Sequence, residues 1–161
     1  MSQSIPYRLS QAVVAALRAH FEPLGAAVRD NPTSRASLNE GARVVFVEDE
    51  HDLPGTASNN AQPNQPNQAE GRSFALAVGV IARTDDARAQ ADADMEQVKA
   101  TLRDAVLAET RAMVAAGQIL AVVMPLEGQR LYRLDGIDVG GALVLTRFLL
   151  SYRLPTLGRR A

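Results

Sequence analysis

SFALAVGVIARTDDARAQADADMEQVKATLRDAVLAETRAMVAAG, residues Ser73–Gly117, decides the fold. Its first part, Ser73–Arg83, alternates. Phe74, Leu76, Val78, Val80 and Ala82 point one way, and smaller or polar residues point the other. A period of two with one large apolar face predicts a half-buried strand. Thr84, Asp85 and Asp86 follow, and then a run without Gly or Pro as far as Ala116. In that run Ala91, Met95, Val98, Leu102, Ala105, Val106, Glu109 and Met113 recur at three- and four-residue steps. All but Glu109 are apolar, so they form one stripe of an amphipathic helix. A strand that feeds a long helix is the centre of the chain, and the other segments serve to cover that stripe.

Upstream, Pro6–Phe21 is a first helix. Pro6 suits the first turn, where its missing N–H costs nothing, and Leu9, Val13, Ala16 and Leu17 make the apolar stripe. Pro23 and Gly25 stop it. Ala26–Arg29 is a candidate short strand closed by the turn signal Asp30-Asn31-Pro32. Arg43–Glu48, with Val44, Val45, Phe46 and Val47 unbroken, reads as a strand covered on both faces. Asp49–Gly71 is rich in Asn, Gln and Pro and poor in apolar side chains. It is expected to be a flexible hairpin tip, because it buries too little to offset its ordering entropy.

Downstream, Gly117 is the expected C-cap. Ile119–Met124 is a short strand or a buried connection ended by Pro125. Arg130–Ile137 alternates, and the glycine-containing Asp135–Gly141 turns the chain. Ala142–Leu154 is the longest strand. Val144, Thr146, Phe148, Leu150 and Tyr152 face one side, and Leu143, Leu145, Arg147, Leu149 and Arg153 face the other. Thr156–Ala161 is a basic tail expected to fray, starting from Pro155. The expected fold is a single α+β domain over 1–161: a mostly antiparallel sheet of about four strands with two helices packed on one face. The opposite face, with leucines and arginines interleaved, suits a subunit interface; the alternative is that the N-terminal segment folds over it.

Composition bounds the chemistry. The chain has 161 residues, 47% of them hydrophobic but only 4% aromatic, so its core is built from Ala, Val and Leu. A net charge of −1 gives no global pull toward nucleic acid or anionic membrane. Cysteine is absent, which excludes disulfides, zinc-thiolate sites and thiol catalysis. This fits a reducing cytoplasm or a particle assembled there. No signal peptide is expected from Met1–Tyr7, and no apolar run approaches the roughly 20 residues a spanning helix needs. Charge is segregated: Asp49–Gly71 carries acids and no Lys or Arg, whereas the C-terminal sheet is rich in arginine.

No catalytic, cofactor or metal motif emerges. His20 and His51 are the only histidines. Glu50-His51-Asp52 are adjacent residues on an expected loop and do not converge on one metal ion. Neither histidine is placed to serve a Ser/His/Asp arrangement. Gly136–Gly141 joins two strands and lacks the helix N-terminus of a phosphate site. Asp85, Asp86, Asp92, Asp94 and Glu96 crowd the N-terminal half of the long helix, where anions suit the macrodipole. The expected interface residues are therefore Leu143, Leu145, Arg147, Leu149 and Arg153, with Asp92, Asp94 and Glu96 of a neighbouring subunit's helix as acidic partners for Arg147.

The element order and a few stretches carry a resemblance. A short helix (Leu9–Phe21) precedes a central strand. Val80-Ile81-Ala82-Arg83-Thr84-Asp85 leads into a helix, and the chain closes on a hairpin whose last strand is Ala142–Tyr152. This resembles the tail terminator proteins of long-tailed bacteriophages, of the minor tail protein U type, over roughly Leu9–Leu154. The resemblance implies a virion protein of the tail–neck junction, assembled in the host cytoplasm, without catalysis or cofactor. It implies a hexameric ring of identical subunits that caps the tail tube protein, ends its polymerisation and presents a surface to the head connector. DNA would only pass through the lumen, and no membrane is involved. The Asn/Gln/Pro-rich Pro54–Gln68 departs from that pattern. Other readings are a head-closure or adaptor ring, or a small α+β ligand-binding or enzymatic domain.

Overall fold

The computed structural model describes residues 2–39, 41–54, 70–133 and 141–155. Helix α1 (Ile5–Phe21) opens the fold, with the Ser4 side chain accepting the Tyr7 N–H at its N-terminus. A 3-10 turn at Glu22–Leu24 ends on Gly25, whose φ of 84° is the left-handed geometry that glycine takes without a Cβ penalty. Strands β1 (Ala27–Asp30), β2 (Arg43–Pro54) and β3 (Glu70–Ala82) follow, then helix α2 (Ala87–Ala115) and strands β4 (Leu126–Arg133) and β5 (Ala142–Leu154).

The chain is α+β, as expected, but the sheet is five-stranded and mixed, in the order β1-β2-β3-β5-β4. The extra member is β1, which pairs parallel to β2 from Ala27↔Val44 to Asp30↔Val47. The other pairings are antiparallel. Because β3 and β4 both run against β5, they are parallel to each other, and α2 crosses over β5 to connect them. A parallel return needs such a crossover, and a helix of this length supplies it.

Both helices pack on one face. Leu9, Val13, Val14, Leu17 and Phe21 of α1 and Ala91, Met95, Val98, Leu102, Val106 and Met113 of α2 are fully or nearly fully buried. They meet Phe74, Leu76, Val78 and Val80 of β3 and Val144, Phe148, Leu150 and Tyr152 of β5. The alternation in β5 is as the sequence predicts, with Arg147 and Arg153 exposed on the other side. In β3, however, both faces are buried. Ile81 joins Leu38, Val44, Phe46 and Leu143 in a second, smaller cluster on the helix-free side. Gly79 lies directly beneath the Phe46 ring, and a Cβ there would fall 2.0 Å from Cζ.

One expectation is corrected and one open alternative is decided. First, 49–54 and 70–71 belong to β2 and β3, so the hairpin is longer than the polar composition suggests. Composition weighs side-chain burial, whereas a hairpin also extends through backbone pairing, here reinforced by Arg72 Nε donating to Asp52 at 2.9 Å. The remainder of the expected flexible loop, 55–69, lies outside the described residues, as do 134–140 of the second turn and 156–161 of the tail. Second, of the two alternatives for Ile119–Met124, a short strand or a buried connection, the structure has an irregular connection that is buried only in part. It begins at a Schellman-type cap: Gln118 N–H donates to Met113 O and Gly117 N–H to Val114 O, with Gly117 at φ 71°. Val123 N–H then donates to the buried Thr110 Oγ1 at 3.1 Å, which draws Val123 inward.

Candidate functional site

The helix-free face of the sheet is where the expected site residues can be judged. Leu143 is nearly buried, at 8% exposure, in the Phe46 cluster. Leu145 and Leu149 are half-buried, and Arg147 and Arg153 are exposed. The five therefore do share one side of β5, but they form a gradient. Near Leu143 the sheet is covered by the Arg35–Leu38 turn, which is tied down by Arg29 donating to Ser37 O and Arg83 donating to Gly41 O and Leu38 O. Among the described residues that cover does not extend to Arg153. The segment that covers part of this face is thus 35–38, between β1 and β2, and not the N-terminal segment.

Arg147 finds an acid within its own chain. Its Nε donates to Glu50 Oε1 at 2.9 Å. β3 lies between their strands, so the pair must reach across it. Ala77, the register partner of both Glu48 and Arg147, leaves room for that reach. A bulge in β2 makes it possible: Asp49 pairs with Leu76 and His51 with Ala75, so Glu50 is the extra residue. The bulge also separates the Glu50-His51-Asp52 triplet. Glu50 turns to Arg147, whereas Asp52 accepts hydrogen bonds from Tyr152 Oη and Arg72 Nε. Among the described residues no group of side chains has the makings of a metal site. Burial first, and then the hydrogen bond to Asp52, push the Tyr152 phenol up to about 12.

The three α2 acids expected to partner Arg147, Asp92, Asp94 and Glu96, are engaged inside the subunit. Asp94 is buried at 3% exposure, and Arg43 grips both its oxygens, at 2.9 and 2.7 Å. The hydrogen bond to Asp94 raises the Arg43 pKa despite partial desolvation. Asp92 and Glu96 instead meet Arg130 of β4, at 3.2 and 2.6 Å, and Tyr132 Oη donates to Asp92 at 3.0 Å. Burial opposes the charge on Arg130, but its bonds to Tyr132 and Glu96 prevail and its pKa rises; the same bond lowers Glu96. Lys99 to Glu127, at 2.8 Å, completes the cluster and raises the Lys99 pKa. A bulge between Glu127 and Arg130 turns both of them toward the helix. These carboxylates bind β4 and β2 to α2 and are not laid out as a bare acidic surface. Within the subunit the acid that Arg147 meets is Glu50, while Asp92 and Glu96 meet Arg130 and Asp94 meets Arg43.

Sequence reasoning missed the largest apolar exposure among the described residues. Leu120, Val122, Met124 and Leu126 are 52, 42, 63 and 65% exposed within seven residues. Ile119, just before them, and Val123, among them, are buried, so the segment is an exposed ridge held by two inward anchors. Its only signal in the sequence was an apolar run of uncertain type. Two shallow depressions of about 340 and 280 Å³ flank the Arg130 cluster, and their polar walls are largely occupied by the ion pairs just described. No protein-family model matches the sequence, and comparison with curated proteins gives no match.

Proposed function

We propose that this chain is a structural ring subunit of a phage tail–neck junction, a tail terminator. The observation that carries the reading is the one-sided sheet. Both helices cover one face, and the other carries half-buried Leu145 and Leu149 beside exposed Arg147 and Arg153. An apolar surface interleaved with arginine is the composition of protein interfaces, and a ring uses two different patches of one subunit. The element order α1–β1–β2–β3–α2–β4–β5, in which β4 and β5 pair antiparallel at the end, supports the same reading. In it the protein has no catalytic role. It caps the tail tube protein, ends tube growth and offers its far surface to the head connector.

Native mass spectrometry, on the protein alone and mixed with tail tube protein, tests this. A closed ring, most simply a hexamer, bound at the tube end is the expected result. A strict monomer under both conditions overturns the proposal. Binding to portal in place of tube would assign the ring to the adaptor position instead.

A further inference from the structure

We draw no further inference here: the strongest candidate, the exposed apolar ridge of Leu120, Val122, Met124 and Leu126 between α2 and β4, is an unpartnered surface, and nothing in the structure shows what covers it.

Discussion

The two faces of one sheet, built from the same strands, are finished in opposite ways. Under the helices, β3 and β5 present Leu76, Val78, Phe148 and Leu150 to a closed apolar layer. On the other side the same strands present Ala75, Ala77, Gly79, Leu145, Arg147 and Leu149, and among the described residues Phe46 and Leu38 cap one end of them. The difference shows where stability resides and where surface is left for association. The covered face must lose free energy when any large side chain is cut. The open face should tolerate change except where the Phe46 ring closes over Gly79.

The sharpest break of that contrast is Leu102→Ala, beneath the centre of α2. It should cost roughly 2–5 kcal/mol, because the surrounding structure relaxes only partly into the space left; urea unfolding measures it. The buried ion pair comes next. Asp94→Ala leaves Arg43 beside a vacated pocket and should cost about 3 kcal/mol, and a double-mutant cycle with Arg43→Met should recover part of it. On the open face Gly79→Ala is the exception. Its new methyl meets the Phe46 ring and should cost roughly 1–3 kcal/mol, relieved when Phe46 is also cut to Leu.

Smaller effects sharpen the comparison. Tyr152 closes the covered face at the hairpin end, and its folded pKa of about 12 lies above its ordinary value of 10.0. A raised phenol pKa contributes stability that is complete below about pH 10 and is lost as pH rises toward 12. Melting temperature against pH should therefore fall less steeply over that window in Tyr152→Phe than in wild type. Smallest of all, Arg147→Glu removes an exposed pair with Glu50 and should move unfolding by less than about 1 kcal/mol. Under the ring reading its effect appears in sedimentation, and a variant that unfolds would show that Arg147–Glu50 is part of the subunit's own core.

Much of the covered face was legible because periodicity reports burial directly. Leu102 and Val106 of α2, and Val144 and Phe148 of β5, sit where steps of four and two put them. The candidate face was legible only as a list of β5 residues. The true partner of Arg147 was not, because a bulge changes parity by one residue and nothing in Glu48-Asp49-Glu50 marks the position of the extra one. The ridge was hidden for a related reason. Ile119–Met124 is apolar throughout, and contacts to distant residues, such as Val123 N–H to Thr110 Oγ1 and Leu120 N–H to Arg153 O, accompany the burial of Ile119 and Val123 and the exposure of the others.

By itself the sequence determined the α+β class, the two amphipathic helices, the side of β5 each residue takes, and the glycine cap at 117. These follow from local periodicity and backbone sterics, which act within a few residues of the chain. The tertiary structure alone decided the parallel seat of β1, the length of the β2–β3 hairpin, the burial of Asp94 against Arg43, and the exposure of Leu120, Val122, Met124 and Leu126. Each of these depends on which groups meet across distant parts of the chain. A carboxylate is surface or core according to whether an arginine from another strand arrives to pair with it, and that meeting is written in the packing of α2 against the sheet.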